Sequence, residues 1–175
     1  ARRQRQMCIR DSLCTGTGAL ALYLHHYLPE AQVRAVELAD AALAYTTANT
    51  RGSGVEVIQA DATDATTLAE WNGTVDLIVT NPPYVPETPD LDPEVYHDPH
   101  DAVFAGEDGM GVITGLIPTF ARLLRPGGKV AIEHDDSTSE AVQAAMARYG
   151  GFERISALQD MTGTPRFVTA VRAVD

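Results

Sequence analysis

Apolar positions along the chain fall into short runs separated by longer segments of mixed polarity, the signature of strands alternating with helices. Runs at 33–37 (VRAVE), 55–59 (VEVIQ), 75–79 (VDLIV) and 129–133 (KVAIE) read as strands. VDLIV is nearly continuous and rich in β-branched residues, as a central strand buried on both faces requires. Residues 18–28 (GALALYLHHYL) predict a helix, apolar nearly all round and closed by Pro29. Residues 39–51 carry Leu43, Ala44, Thr47 and Ala48 at helical spacing and stop at Gly52. A short helix is expected over 65–71 and a longer one over 111–124, kinked at Pro118 and ended by Arg125-Pro126-Gly127-Gly128. Another, over 137–149, sets Ala141, Val142, Ala145 and Met146 on one face. Residues 152–158 and 166–172 are two strands joined by a short polar connection, which predicts an antiparallel hairpin. The order predicts an α/β fold: a doubly wound, mostly parallel sheet with a C-terminal antiparallel hairpin.

Two stretches break this pattern. A doubly wound sheet needs a first strand directly before its glycine turn, yet residues 2–12 offer only Met7-Cys8-Ile9. The first strand is therefore expected to be truncated. Residues 1–12 are expected to be non-native or disordered, since MCIRDS resembles a translated sequencing-adapter junction; the domain then spans 13–175. The second stretch, 80–108, holds six of the ten prolines. So long an irregular loop inside a compact domain is usually functional or disordered.

Composition narrows the partners. A chain of 175 residues supports one domain with a real core. Its net charge of −11 argues against binding nucleic acid or anionic membrane, because phosphate affinity comes mainly from Lys and Arg. Cys8 and Cys14 are too few and too close for a disulfide framework, which points to a reducing compartment. No apolar stretch approaches the roughly 20 residues of a membrane helix, and no signal-peptide core follows the basic start. A soluble, cytoplasmic, monomeric domain is expected.

Three constellations fall at strand ends, where open α/β sheets bind ligands. Cys14-Thr15-Gly16-Thr17-Gly18-Ala19 is a glycine turn whose backbone can approach a ligand closely. Glu37 ends the second strand, 21 residues past Gly16, where a carboxylate can accept hydrogen bonds from both ribose hydroxyls of a nucleoside-like cofactor. Asp61 follows the third strand and either reaches that cofactor or caps the helix near Asp64. The third constellation is Asn81-Pro82-Pro83-Tyr84, directly after VDLIVT. Its prolines remove two backbone donors and leave carbonyls exposed, Asn81 adds an amide oxygen, and Tyr84 a flat ring. The set suits an amide or amino nitrogen that donates two N–H bonds while its face is held. Glu133-His134-Asp135-Asp136 directly follows a strand and is read as non-metal; no metal is expected.

With these motifs, residues 13–174 resemble the class I S-adenosylmethionine-dependent methyltransferases, through CTGTGAL, VRAVEL, QAD and VTNPPYVP. DPHDAVFAGEDGMGVI, LLRPGGKVAIEHD and QDMTGTPRFVTAVR are similar, more narrowly, to the release factor glutamine methyltransferases. The resemblance implies a Rossmann-like methyltransferase fold, S-adenosylmethionine as cofactor, and a peptide chain release factor as protein substrate. Its Gly-Gly-Gln glutamine would be methylated on the side-chain amide. By position, Thr15, Gly16, Thr17 and Gly18 would line the cofactor's methionine portion, with Cys14 where the family usually has Gly. Glu37 would bind the ribose, and Asp61 with Ala62 would border the adenine. Asn81 would hold the substrate amide beside the methyl group, with Pro82, Pro83 and Tyr84 completing the pocket. Two departures stand out. The acid two residues before the first motif glycine aligns with Ser12, Asp11 being out of step by one, and no counterpart of the family's N-terminal helical docking domain is expected within these residues.

NPPY is shared with enzymes that methylate adenine or cytosine amino groups, so an N6-adenine or related nucleic-acid methyltransferase is the main rival. A cofactor-binding fragment without activity is the other. A radiolabelled methyl donor offered release factor and DNA together separates them.

Overall fold

The structure, a computed structural model, describes residues 8–83 and 109–174. A single sheet runs β3-β2-β1-β4-β5-β7-β6. Its strands are β1 (Ile9–Leu13), β2 (Gln32–Glu37), β3 (Glu56–Gln59), β4 (Val75–Thr80), β5 (Leu124–Glu133), β6 (Phe152–Gln159) and β7 (Pro165–Arg172). β1 to β5 run parallel to one another, while β7 is antiparallel to β5 and β6. The helices among the described residues are α1 (Ala19–Tyr27), α2 (Asp40–Thr50), α3 (Gly111–Leu123) and α4 (Ser139–Tyr149). The expected doubly wound sheet and terminal hairpin are both present.

Alternation along the strands splits the core in two. Val33 and Ala35 of β2 pack with Ala21 and Leu24 of α1, joined by Leu77 and Val79 of β4. Val36 and Ile78, one residue out of phase, join Ile113, Leu116 and Phe120 of α3 and Val142 and Met146 of α4. Phe120 is wholly buried, a placement that contributes roughly 1.5–3 kcal/mol. The chain goes from β1 through α1 to β2 on one side and reaches β4 on the other. A crevice therefore opens at the C-terminal ends of β1, β2 and β4.

β1 corrects the expectation of a disordered segment for residues 9–12. Ile9–Leu13 is a five-residue strand at the sheet's centre, in register with both β2 and β4. Its sequence, IRDSL, hides the strand because Asp11 and Ser12 are polar yet wholly buried. Each is satisfied locally. Asp11 pairs with Arg34, its register partner on β2, and Ser12 Oγ lies 2.8 Å from Thr15 Oγ1.

Other boundaries shift for local reasons. α1 buries only Ala21 and Leu24, so it is not apolar all round in effect. On α2 the buried residues are Thr46 and Thr50, whereas Ala44, Thr47 and Ala48 are exposed. The helix expected over 65–71 shrinks to a 3₁₀ turn, η1 (Ala69–Trp71). Asp61 and Asp64 instead accept bonds from the N–H and hydroxyl groups of Thr63 and Thr66, and such side-chain bonds compete with a helix. Arg125-Pro126-Gly127-Gly128 ends α3 as expected but lies within β5, at an irregularity in its pairing with β4.

Candidate active site

The crevice is a cleft of about 590 Å³. It is walled by Cys14, Thr15, Gly16 and Thr17 of the turn, Glu37 and Leu38 after β2, Asp61 and Ala62 after β3, and Asn81 and Pro83 after β4. Four strand ends distant in sequence thus meet in one place. Gly18 and Pro82 are buried and are not among the lining residues. Tyr84 lies outside the described residues.

The turn after β1 is left-handed at every second residue, with φ of +52° at Cys14, +58° at Gly16 and +83° at Gly18. Only glycine adopts such angles without steric cost, which explains why a glycine suits position 14 and why Cys14 is strained there. At Gly18 a side chain is disfavoured twice over: a Cβ would also press on Thr50 Cγ2 at 3.1 Å and Thr46 Cγ2 at 3.3 Å. Gly18 therefore serves close packing against α2. The Cys14 thiol is pushed up to about 12, by loss of hydration first and then by the negative charge of Glu37. It is a neutral thiol, not a nucleophile, at physiological pH.

Glu37 organises both sides of the cleft. One oxygen accepts from the Gly16 N–H at 2.8 Å, and the other from the N–H groups of Leu38 at 2.9 Å and Ala39 at 3.0 Å. The carboxylate thus ties the glycine turn to the start of α2 while lining the cleft. Asp61 Oδ1 accepts from Thr63 N–H at 2.8 Å and Thr63 Oγ1 at 2.6 Å, so this residue closes a local turn and lines the cleft, and no helix starts near Asp64 for it to cap. Thr119 of α3 holds the same segment from behind, donating to the Ala62 carbonyl at 2.7 Å.

Sequence reasoning passed over the supports of the turn. Thr46 of α2 donates to the Gly16 carbonyl, and Asn49 Nδ2 donates to the Thr17 carbonyl at 2.9 Å. Polar residues spaced 46, 49 and 50 on one helical face were the available signal. At the end of β5, Asp135 caps a 3₁₀ turn by accepting from Ser137 N–H at 3.0 Å, and His134 Nδ1 lies 2.7 Å from the Asp135 carbonyl. Asp135 is thus engaged in capping, while His134 Nε2 is buried with no hydrogen-bond partner among the described residues.

Residues 6–98 match the methyltransferase small domain family, and the chain belongs to that family. Its particular likeness is to the release factor glutamine methyltransferases. That of Corynebacterium glutamicum is 53% identical over 160 residues, covering 90% of this chain and 57% of that protein. The 4-amino-L-phenylalanine/4-methylamino-L-phenylalanine methyltransferase of Streptomyces pristinaespiralis is 42% identical over 146 residues, 82% of this chain and 49% of that protein. A methyltransferase structure from Pyrococcus furiosus shares the fold, with a TM-score of 0.71 at 19% identity over 98% of this chain and 78% of that one. The chain spans about half the length of the curated relatives it matches.

Proposed function

We propose that this chain transfers a methyl group from S-adenosylmethionine to the side-chain amide nitrogen of the Gly-Gly-Gln glutamine of a peptide chain release factor. The carrying observation is the convergence of the glycine turn, Glu37, Asn81 and Pro83 on one cleft. At about 590 Å³ the cleft lies within the roughly 300–1,000 Å³ of ordinary small-molecule sites. Its donor set suits the cofactor: the first N–H groups of α1 at Ala19 and Leu20, which have no intrahelical acceptor, and the Glu37 carboxylate. The cofactor supplies an electrophilic methyl group on its sulfonium.

A neutral amide nitrogen is a weak nucleophile because its lone pair is delocalised into the carbonyl. Asn81 accepts one amide proton on its side-chain oxygen, and a backbone carbonyl of the proline pair accepts the other. The nitrogen is thereby oriented toward the methyl group and made more electron-rich. Positioning of this kind supplies up to about 7–11 kcal/mol in favourable cases. The N–C bond forms as the C–S bond breaks, and the amide then returns to neutrality by losing a proton to water.

A second reading, methylation of a small aromatic amine, is favoured by the likeness to the aminophenylalanine enzyme. The test is to offer radiolabelled methyl donor with release factor, DNA and 4-aminophenylalanine side by side. Label in release factor, lost at least ~10²-fold in Asn81→Ala, is expected. Label confined to the amine or to DNA overturns the proposal.

A further inference from the structure

We infer that Thr46, Asn49 and Thr50, a polar face of α2 outside the cleft, are positioning residues that aim the glycine turn's backbone at the amino-acid end of the cofactor. This rests on the proposed use of S-adenosylmethionine. α2 is an odd place for polar residues such as Thr46 and Thr50 to face inward, because helices of this kind normally bury an apolar stripe. Yet Thr46 is wholly buried and Thr50 nearly so. Each of the three side chains donates to a defined backbone carbonyl. Thr46 donates to the Gly16 carbonyl, Asn49 to the Thr17 carbonyl, and Thr50 Oγ1 to the Thr46 carbonyl at 2.8 Å. The methyl groups of Thr46 and Thr50 fill the space that a side chain at position 18 would need.

The consequence follows from peptide geometry. Across a trans peptide the carbonyl and the next N–H point in opposite directions. Tying the Gly16 carbonyl back to α2 therefore turns the Thr17 N–H away from α2. The remaining polar groups of the turn are held from other sides. Gly16 N–H goes to Glu37 at 2.8 Å, Thr15 N–H to the Val36 carbonyl at 3.0 Å, and Gly18 N–H to the Thr15 carbonyl at 2.9 Å. With the Thr15, Gly16 and Thr17 carbonyls engaged and the Thr15, Gly16 and Gly18 N–H groups already donated within the protein, the Thr17 N–H is the donor the turn has left, and a fixed backbone N–H suits a carboxylate. Glu37 and α2 act on the two ends of the same Gly16 residue, one gripping its N–H and the other its carbonyl.

The experiment is calorimetric binding of two probes to the full chain and its variants. S-adenosylhomocysteine carries the amino-acid end; 5′-methylthioadenosine keeps the nucleoside and lacks that end. Thr46→Val preserves shape and the methyl contact with Gly18 while removing the donor. It is expected to weaken S-adenosylhomocysteine by about tenfold and methylthioadenosine by less than about twofold, with Thr46→Ser restoring the first. Asn49→Ala, at an exposed position, keeps the fold intact and is expected to shift the same ratio by about fivefold. Val142→Ala in the core serves as a control that lowers stability and leaves the ratio alone. Equal weakening of both probes, or no weakening of either, overturns the inference. Wild-type chain that binds neither probe overturns the cofactor reading with it. Probe binding without transfer to release factor overturns only the proposed substrate.

Discussion

Asp11 and Arg34 face each other as register partners on β1 and β2, wholly buried, with two hydrogen bonds of 2.7 Å between carboxylate and guanidinium. The guanidinium also lies 4.6 Å from the ring centroid of Trp71, a cation–π contact that partly replaces its lost hydration. Burial pushes the Asp11 carboxyl above its ordinary range, and the hydrogen bonds and charge of Arg34 work against that push. A pair so placed is costly to break and cheap to replace. Arg34→Met alone should lose about 3–5 kcal/mol in urea unfolding, because it strands a buried carboxylate. The double variant Asp11→Val, Arg34→Met should recover most of that loss. A double variant as unstable as the single one would show that the pair itself, not its desolvation, sets the stability.

The same pair explains what the sequence concealed. Helices and strands with a regular apolar period, such as VDLIV of β4 and the Val142–Met146 face of α4, are legible because burial demands that period. β1 was not, because its burial is satisfied by an ion pair with a residue 23 positions away and by the Ser12–Thr15 contact. No local pattern encodes such a partner. The candidate site divides the same way. Cys14 to Gly18, Glu37, Asp61 and Asn81 were readable since each sits at a strand end with a chemical reason to be there. Thr46, Asn49, Thr50 and Thr119 touch the turn and the Ala62 carbonyl only through tertiary packing. On α2 the apolar spacing favoured the wrong face.

Glu37 has two separable duties. Its bonds to Gly16, Leu38 and Ala39 shape the cleft, and its position at the cleft wall suits the ribose hydroxyls. Glu37→Ala should weaken S-adenosylmethionine by about 1.5–3 kcal/mol, the worth of hydrogen bonds to a charged acceptor, and should also lower the melting temperature. Glu37→Gln retains an acceptor oxygen and should fall between. Calorimetry that finds unchanged affinity in a folded alanine variant would reject the ribose role.

At the tip of the β6–β7 hairpin, the Asp160 carboxyl is lowered to about 2, first by the Thr162 hydroxyl and then by the Thr164 N–H. Its folded value lies below the ordinary ~3.9, so its contribution to stability is fully present above about pH 4. It is lost as pH falls toward 2. Carbon-detected NMR titration should place the Asp160 midpoint about two units below an ordinary aspartate. An ordinary midpoint would mean that the threonine bonds do not persist in solution.

Cys14 joins two unusual properties, a left-handed backbone with φ of +52° and a thiol pushed up to about 12. The first predicts a gain from glycine. Left-handed strain costs roughly 1–2 kcal/mol for an ordinary residue, and glycine's extra unfolded-state entropy costs roughly 0.5–1 kcal/mol. Cys14→Gly should therefore match or slightly exceed the parent in stability, whereas Cys14→Ala keeps the strain, loses the packing of the half-buried sulfur and should be less stable. The second property predicts an order of reaction. At pH 8 almost none of Cys14 is thiolate, so iodoacetamide should label exposed Cys8 well before it. The sign of the pH effect follows. The unfolded thiol ionises near ~8.5 and the folded one near 12, so unfolding releases a proton between those values and stability declines as pH rises through them. Cys14→Gly should flatten that decline. Mass spectrometry showing Cys14 alkylated as fast as Cys8, together with an unchanged alkaline slope in Cys14→Gly, would mean that the thiol is hydrated and that Glu37 does not act on it.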